Sequence, residues 1–371
     1  MQTIGLYIHT PFCIRKCPYC DFYSAPPRSE EELDRYVQGI LTAMEDCSRR
    51  YPCTADTLYF GGGTPSLLGG ERLAAVIRRA DELFDLLSHS PEITLEANPA
   101  DDLADTLAAF AAAGGNRLSL GMQSAVPAEL TALGRRHTPA DVERTVADAR
   151  RAGIHNISLD LMLGISGQTQ QSALYSADYA ASLGADHVSA YLLKLEPDTP
   201  YGHCPPPLPD EDDTADLYLA VMERLDALGY RQYEISNTAK VGRESRHNLK
   251  YWSGQPYLGI GPAASSCLGG YRFTYPRDTA YFLAGGDPTE DPADGPAVDS
   301  PEEYALLRLR LADGLTAADY RRRFGTDLPA AWVANARALP ANLVETDEAG
   351  IRLTREGFLL SNSLICHILA E

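Results

Sequence analysis

Three cysteines near the start of the chain constrain it more than any other feature. They stand at positions 13, 17 and 20, in the spacing C-x3-C-x2-C. A cubic [4Fe–4S] cluster has four irons and is usually held by four thiolates. Three thiolates at this spacing can hold three irons and leave the fourth iron open to a small chelating molecule. Cys13, Cys17 and Cys20 are therefore the candidate metal ligands.

A zinc site is the alternative for these thiols. Zinc sites usually pair two C-x2-C units, or one such unit with an H-x3-5-H pair. No second C-x2-C unit or histidine pair follows in this chain. The spacing therefore favours the iron–sulfur cluster, and the other five cysteines are predicted to be free thiols.

Strand and helix signals alternate after the cysteine loop. Apolar runs predict strands at 4–8, 57–60, 92–96, 117–121, 156–161 and 187–193, and amphipathic stretches predict helices between them. The helix predicted for 29–50 begins with Ser29 and Glu32 as a capping box, and Thr138 with Pro139 marks another helix start. Such alternation predicts an α/β fold with a parallel sheet, closed as a (β/α) barrel.

Composition limits the class of protein. The chain has 371 residues and 44% hydrophobic content, which suffices for one large and one small domain. A net charge of -19 argues against nucleic acid or an anionic membrane as a general partner. The chain begins directly with a strand, so we expect no signal peptide and a cytoplasmic, reducing location, which suits free thiols.

The second half divides into segments. We predict a barrel domain at 1–284, a linker at 285–301 that is rich in Gly, Pro and Asp, and a small, mostly helical domain of winged-helix type at 302–371. A surface loop is predicted at 204–213, followed by a helix at 214–228. The acid-rich linker and the missing basic face of the last domain argue against DNA binding.

The cysteine spacing, with Tyr19 just before the last cysteine, resembles the radical SAM superfamily. In that superfamily the amino and carboxylate groups of S-adenosylmethionine occupy the open iron. The resemblance implies a (β/α)6-type partial barrel and a set of polar residues at its strand ends that bind this cofactor. In this chain the set is Tyr7, Gly62, Gly63, Thr64, Glu96, Gln123, Arg135 and Asp160.

The resemblance also implies roles within this set. The Gly-Gly-Thr segment would meet the amino group of S-adenosylmethionine, together with Glu96 and Gln123. Arg135 would take the carboxylate and Asp160 the ribose hydroxyls, and Tyr7 would lie near the cluster. A solvated strand end is the ordinary explanation for any one of these residues; their number is what favours a zwitterionic nucleoside.

Further motifs narrow the family. Y-x-H-x-P-F-C, G-G-G-T-P-S, E-x-N-P, S-L-G-M-Q-S and L-D-L-M occur in this order within residues 7 to about 266. The series resembles the oxygen-independent coproporphyrinogen III oxidase family. Phe22 stands where the true oxidases have a fourth cysteine, and H-N-x-x-Y-W occurs at 247–252. Both features resemble the haem-chaperone branch, in which His247 is a candidate haem ligand.

His247 has a second interpretation. A neutral imidazole beside two aromatic faces suits haem iron, yet a single histidine is more often a hydrogen-bonded structural residue. The family often has G-A-H-S where this chain has Ala263-Ala264-Ser265-Ser266, so a histidine near this region is missing. That departure limits what the resemblance implies about haem contacts.

The resemblance leads to two main functions. The first is a haem chaperone that binds the cluster, S-adenosylmethionine and haem, and delivers haem to haemoproteins, with membrane-bound recipients and a homodimer expected. The second is an enzyme, coproporphyrinogen III oxidase, which would need an electron donor and act on a porphyrinogen propionate by radical chemistry. An iron–sulfur electron carrier is a third. The sequence leaves open whether the protein is an enzyme.

Overall fold

Parallel strands form the centre of the molecule. The computed structural model describes residues 2–292 and 295–370. Its central strands are β1 (Gln2–Thr10), β2 (Cys53–Gly62), β3 (Glu92–Ala97), β4 (Arg117–Gln123), β5 (Asn156–Leu163) and β6 (His187–Leu192). They pair in chain order and in parallel, so their carboxyl ends meet at one edge. The strand and helix alternation expected from the sequence is confirmed.

Helices cover the outer face of these strands. They are α1 (Glu30–Arg50), α2 (Gly70–Phe84), α3 (Ala104–Ala112), α4 (Pro127–Ala132), α5 (Pro139–Arg151) and α6 (Gln170–Ser182), with short 3-10 turns at Pro65–Leu68 and Leu87–His89. Each helix turns an apolar stripe towards the sheet; in α1 this stripe includes Leu33, Val37 and Ile40. The main hydrophobic core therefore lies between the strands and the helices.

Strands extend beyond the ranges that the sequence predicts. β2 begins at Cys53 rather than 57 and runs on to Gly62, and β5 ends at Leu163. Two polar residues, Thr54 and Asp56, interrupt the apolar run at the start of β2, from which strands are read. The extra length of β2 brings Gly61 and Gly62 onto the strand itself, where their backbone is fixed by the sheet.

Helix caps match the sequence in one case and differ in another. Thr138 and Asp141 form the expected capping box at the start of α5. The capping box expected for α1 is wrong: among the described residues, the Ser29 side chain caps no backbone N–H. Glu32 instead accepts a hydrogen bond from the backbone N–H of Arg28 at 2.6 Å and from its guanidinium, so an ion pair replaces the capping box.

The sheet continues beyond the central strands on both sides. The further elements are α7 (Pro200–His203), α8 (Glu211–Ala227), β7 (Arg231–Gln232), β8 (Asn237–Ala239), α9 (Arg246–Trp252), β9 (Tyr257–Ile260), β10 (Ser265–Leu268), β11 (Tyr271–Thr274), α10 (Thr279–Leu283) and β12 (Thr289–Glu290). Within the described ranges the order is β12-β11-β10-β9-β1-β2-β3-β4-β5-β6-β8-β7. β1 and β6 are not neighbours, so the barrel stays open between them.

Two loop predictions differ from the structure. The predicted surface loop at 204–213 is helical from Glu211, because Asp210 caps α8 by accepting the backbone N–H of Asp213 at 2.8 Å. β12 lies inside the predicted linker and pairs with β11. Residues 293 and 294 of that linker lie outside the described residues.

The C-terminal segment has a hydrophobic core of its own. Its elements are α11 (Pro301–Arg308), β13 (Leu315–Thr316), α12 (Ala317–Phe324), α13 (Ala330–Ala338), β14 (Val344–Thr346), β15 (Gly350–Leu353), α14 (Arg355–Leu359) and α15 (Ser361–Ile368). The helical character expected from the sequence is present, with a small antiparallel sheet added. Because this separate core begins at Tyr304, we keep 302 as the proposed start of the second domain. Across the described ranges, no helix has the length and apolarity needed to cross a membrane.

Candidate functional site

The three cysteines lie in the loop that follows β1, at the carboxyl end of the barrel. Cys13, Cys17 and Cys20 are free thiols of intermediate exposure. The backbone N–H of Cys13 donates to the carbonyl of Ala25 at 3.1 Å, and that of Cys20 donates to the carbonyl of Cys17 at 3.1 Å. The loop is thus held by its own backbone, which leaves the three side chains for another partner.

Neighbouring segments hold this loop in place. The backbone N–H of Tyr201 donates to the carbonyl of Pro18 at 3.0 Å, so the β6–α8 connection packs on the loop. The Thr64 hydroxyl lies 3.2 Å from the sulfur of Cys13. The backbone N–H of Thr64 donates to the carbonyl of Phe12 at 2.7 Å. The expected Gly-Gly-Thr segment therefore lies directly against the cysteine loop.

Glycine is required where β2 meets this loop. A β-carbon on Gly63 would lie 2.4 Å from the carbonyl oxygen of Phe12. Gly62 has φ +103°, and a β-carbon there would lie 2.7 Å from the imidazole of His9. The two glycines let two backbone segments approach closely, and any larger residue would push the cysteine loop away from the strand.

Two carboxylates face the barrel interior near its carboxyl end. The Tyr59 hydroxyl donates to Oε1 of Glu96 at 2.7 Å, and the Ser119 hydroxyl donates to Oδ1 of Asp160 at 3.4 Å. Burial, with Asp160 adding to it, raises the pKa of Glu96 to about 7. Burial raises the pKa of Asp160 to about 6. A cationic ligand group would stabilise both carboxylates in the charged form.

Gln123 and Arg135 bring polar atoms to the same edge. Gln123 ends β4 with φ +65°, a strained backbone conformation for a residue other than glycine. Arg135 donates to the carbonyl of Gly121 at 2.8 Å and lies 3.6 Å from the sulfur of Cys17. Its Nε and the Oε1 of Gln123 are buried without a hydrogen-bond partner in the described residues. Buried orphan atoms beside a thiol indicate a site built for a polar ligand.

These residues suit the cofactors that the cysteine spacing implies. The site combines three free thiols, a guanidinium, two carboxylates and a glycine segment, and a small pocket lies among Cys17, Thr64 and Arg135. Within 2–292 and 295–370, no three His, Cys, Asp or Glu side chains converge on a point that could hold one metal ion. That finding concerns single ions; in a cubic cluster each thiolate binds a different iron.

His9 was not among the predicted site residues. Its Nδ1 lies 3.1 Å from the Tyr7 hydroxyl, and its Nε2 lies 3.1 Å from the carbonyl oxygen of Tyr23, the residue that follows Phe22. His9 thus links the end of β1 to the far side of the cysteine loop. The sequence signal was present, since His9 is a polar residue within the first motif, but its partners are set by tertiary contacts.

His247 lies at the amino end of the barrel, where its ring stacks on that of Tyr59 at 5.1 Å. It belongs to α9, whose first N–H groups, those of Arg246 and His247, donate to Glu92 at 3.0 and 2.9 Å. The imidazole is 1% exposed; its Nδ1 lies 2.8 Å from the Thr57 hydroxyl and its Nε2 2.8 Å from the Tyr251 hydroxyl. Burial, with the charge of Lys250 adding to it, lowers the pKa of His247 to about 3. In this conformation no ring nitrogen is free for iron.

The expected haem ligand therefore stands apart from the expected cofactor residues. The structure brings the cysteines, the glycine segment, Glu96, Gln123, Arg135 and Asp160 to one end of the barrel. Tyr7 lies between the two regions: its ring stacks on that of His247 at 6.5 Å and its hydroxyl meets His9. Haem ligation by His247 would require both of its hydrogen bonds to break, and it stays a prediction.

Comparison with known proteins gives the family. Residues 7–180 match the radical SAM superfamily, and residues 297–360 match the HemN C-terminal domain. The haem chaperone HemW of Bacillus subtilis is 34% identical over 375 residues, which cover 98% of this chain and 99% of that protein. HemW of Escherichia coli is 36% identical over 326 residues, covering 86% of each chain.

A solved structure agrees on the fold. Coproporphyrinogen III oxidase (HemN) from Escherichia coli, described as a radical SAM enzyme, aligns with a TM-score of 0.83 over 99% of this chain and 90% of its own, at 21% identity. At that identity the likeness concerns architecture alone, and it confirms the radical SAM partial barrel with its mostly helical C-terminal region. Because the HemW relatives match over nearly the whole chain, this protein belongs to the HemW family of the radical SAM superfamily.

Proposed function

We propose that this protein is a haem chaperone that carries a [4Fe–4S] cluster and S-adenosylmethionine and delivers haem to a recipient haemoprotein. The observation that carries the proposal is the match over 98% of the chain to a protein named as a haem chaperone. The two resident cofactors follow from membership of the radical SAM superfamily. The likeness to the solved coproporphyrinogen III oxidase is one of fold. In the family resemblance, Phe22 stands where the oxidase branch has a fourth cysteine.

We assign the cluster to Cys13, Cys17 and Cys20. Three thiolates leave one iron without a protein ligand, and S-adenosylmethionine would complete it. Thr64 and Arg135 each lie beside one of the sulfurs. Both are hydrogen-bond donors, and donors near sulfur stabilise its negative charge.

We assign the S-adenosylmethionine contacts to residues around this loop. The Arg135 guanidinium would pair with the carboxylate, and Glu96, with Gln123 and the Gly62–Gly63 backbone, would receive the amino group. Asp160 would accept the ribose hydroxyls, and Tyr7 would close the site from the β1 side. When bound, the two cofactors supply one-electron chemistry at the sulfonium; the residues of this chain hold and orient them.

The partners are part of the proposal. The cargo is haem, and we propose membrane-bound haemoproteins as its recipients. An electron donor is a further partner only if the cluster is reduced for radical chemistry. We also propose a reducing compartment, the cytoplasm, because the free thiols need one. A homodimer is expected from the family resemblance.

A haem titration tests the proposal. Cluster-loaded protein with S-adenosylmethionine would be titrated anaerobically with haem and followed at the Soret band, and the complex would then be mixed with apomyoglobin as acceptor. We expect saturation near one haem per chain, followed by transfer of haem to the acceptor. Absence of saturable binding would overturn the chaperone, and a vinyl product from coproporphyrinogen in the same sample would replace it by the oxidase.

A variant tests His247 separately. If His247 ligates iron, His247→Ala abolishes or shifts the Soret band of the complex. His203→Ala is the matched control, because His203 is exposed and outside α9. An unchanged Soret band in His247→Ala would leave His247 with the structural role that its two hydrogen bonds describe.

A further inference from the structure

Tyr59 was not among the predicted site residues, yet it contacts one of them directly. It is buried on β2, and its hydroxyl donates to Oε1 of Glu96 at 2.7 Å. Tyr59 pairs across the strands with Thr94, two positions before Glu96. Side chains two positions apart on a strand point to the same face, so Tyr59 reaches along the barrel interior towards the carboxyl end. Its hydroxyl thus meets the carboxylate that we assign to the amino group of S-adenosylmethionine.

The ring of Tyr59 is held by two other rings. It stacks on the imidazole of His247 at 5.1 Å, with 26° between the planes, and its centroid lies 6.2 Å from that of Tyr7. Burial, with the charge of Glu96 adding to it, raises the pKa of Tyr59 well above its ordinary value. The phenol therefore keeps its proton at neutral pH and acts as a donor. A donor on a ring with fixed neighbours holds its acceptor in one place.

Gly61, the first glycine of the triplet, makes room for this contact. A β-carbon on Gly61 would lie 2.9 Å from the ring of Tyr7 and 3.0 Å from that of Tyr59. It would also lie 3.3 Å from Oε1 of Glu96. A larger residue would therefore push the two rings and the carboxylate apart. The other two glycines of the triplet serve the cysteine loop, so this one has a separate role at the carboxylate.

We propose that Tyr59 is a positioning residue for S-adenosylmethionine: its hydroxyl fixes one oxygen of Glu96 and stabilises the carboxylate that receives the ligand's amino group. The inference rests on the assignment of Glu96 made under the proposed function. A hydrogen bond to a carboxylate favours the ionised form over the protonated form. Loss of the hydroxyl should therefore leave Glu96 protonated at a higher pH than in the parent. Tyr59 acts through Glu96 and need not touch the ligand.

Other titratable or charged groups around Glu96 influence the same proton. They come from four elements: Tyr7 on β1, Arg117 on β4, Asp160 on β5 and Tyr251 on α9. Burial raises the pKa of Glu96 to about 7, with Asp160 adding to the rise, while the Tyr59 hydroxyl and Arg117 act in the opposite direction. Because all four neighbours remain in Tyr59→Phe, a difference between that variant and the parent reports the hydroxyl.

Tyr59→Phe tests the positioning role, because it removes the hydroxyl and keeps the ring. Tyr230→Phe is the matched control: Tyr230 is also buried, and its hydroxyl donates to the carbonyl of Ala185 at 2.7 Å, just before β6 begins. Each cluster-loaded protein would be titrated with S-adenosylmethionine by calorimetry at about pH 7. Two buffers of different ionisation enthalpy give both the affinity and the number of protons released. The same substitution would be repeated in Glu96→Ala, and thermal unfolding would check the fold of every variant.

The expected results concern the proton as well as the affinity. The parent should release about half a proton per ligand bound, because the pKa of Glu96 is about 7. Tyr59→Phe should release closer to one proton and bind about fivefold more weakly. Tyr230→Phe should match the parent. In the Glu96→Ala background, Tyr59→Phe should change neither quantity, because no carboxylate is left to position.

Three results would overturn the positioning role. The first is parent affinity and parent proton release in Tyr59→Phe. The second is weaker binding with unchanged proton release, and the third is a loss of affinity that persists in the Glu96→Ala background. Either of the last two would assign Tyr59 to packing alone. A parent protein that binds no S-adenosylmethionine would instead overturn the cofactor assignment of the proposed function.

Discussion

The two ends of the barrel treat their polar side chains differently. At the carboxyl end, a group defined here as the mouth set comprises Glu96, Gln123, Arg135 and Asp160. At the amino end, the His247 network comprises Thr57, Glu92, His247 and Tyr251. Within the described part of the chain, the mouth set keeps Oε1 of Gln123 and Nε of Arg135 buried without a partner. In the His247 network both imidazole nitrogens have partners at 2.8 Å.

This difference distinguishes a ligand site from a structural one. A buried polar atom without a partner costs about 1–3 kcal/mol, so such an atom beside a pocket gains more from a polar ligand than an atom that is already hydrogen-bonded. A network that satisfies itself contributes to stability and gains nothing from a ligand. Substitutions in the mouth set should therefore weaken binding, and substitutions in the His247 network should weaken the fold.

The largest effect should come from the cysteine loop. Cys17→Ala removes one of three thiolates, so we expect loss of the [4Fe–4S] cluster, with little change in thermal unfolding of the cluster-free protein because Cys17 lies in a partly exposed loop. Cys204→Ala, an exposed thiol outside the loop, is the control. Iron and sulfide analysis after anaerobic reconstitution measures the outcome. Full cluster content in Cys17→Ala would refute the assignment of the cluster to this loop.

Arg135→Ala should have the next largest effect. Loss of a charge-assisted contact to a carboxylate costs about 1.5–3 kcal/mol, so S-adenosylmethionine should bind roughly 10- to 100-fold more weakly. The matched control is Arg144→Ala, because Arg144 is exposed, pairs with Asp141 at 2.8 Å on α5 and does not line the pocket beside Cys17. Calorimetric titration of both variants with S-adenosylmethionine measures the two affinities. Equal affinity in the two would remove Arg135 from the mouth set.

The His247 network should answer in the opposite way. Glu92 accepts two backbone N–H groups at the start of α9. In Glu92→Gln one of these acceptors becomes a donor, so one N–H is left without a partner and the protein should lose about 1–3 kcal/mol of unfolding free energy. Affinity for S-adenosylmethionine should stay unchanged. Denaturant unfolding beside Glu71→Gln, an exposed residue of α2, measures the effect; a loss of affinity without a loss of stability would reverse our comparison.

The sequence predicts the mouth set better than the His247 network, because the two regions differ in how far apart along the chain their contacting residues lie. The cysteine loop and the glycines are read from short motifs, because the atoms that restrict them are local or on the next strand. Gly63 is an example: it lies against Phe12, two residues beyond the end of β1. The carboxyl ends of parallel strands meet in any such fold, so the placement of Glu96 and Asp160 also follows from the pattern.

The His247 network could not be read in this way. The partner of Nδ1, Thr57, precedes His247 by 190 positions, and nothing in the H-N-x-x-Y-W pattern specifies that contact. The same limit applies to β12, a strand that forms within a Gly- and Pro-rich segment because β11 offers it an edge. Pairing with a distant partner overrides local composition in both cases.

The pH dependence of S-adenosylmethionine binding gives the smallest and most specific test of the mouth set. Burial raises the pKa of Glu96 to about 7, from 4.5. The folded protein without ligand therefore holds this proton more tightly than the unfolded chain, so the carboxyl group favours the fold at low pH and loses that contribution as the pH rises towards 7. A bound amino cation has the opposite preference and favours the carboxylate, so binding below pH 7 must release the proton.

Between about pH 7 and about pH 6, where the ligand's amino group stays protonated, affinity should fall roughly fivefold. Calorimetry in two buffers of different ionisation enthalpy would detect the released proton, and Glu96→Gln, which has no proton to lose, should show a flat profile. Asp160, whose pKa burial raises to about 6, would steepen the fall below that pH. A parent protein as flat as Glu96→Gln would mean that Glu96 does not meet the cation, and the mouth set would then hold the ligand through Arg135 and Asp160 alone.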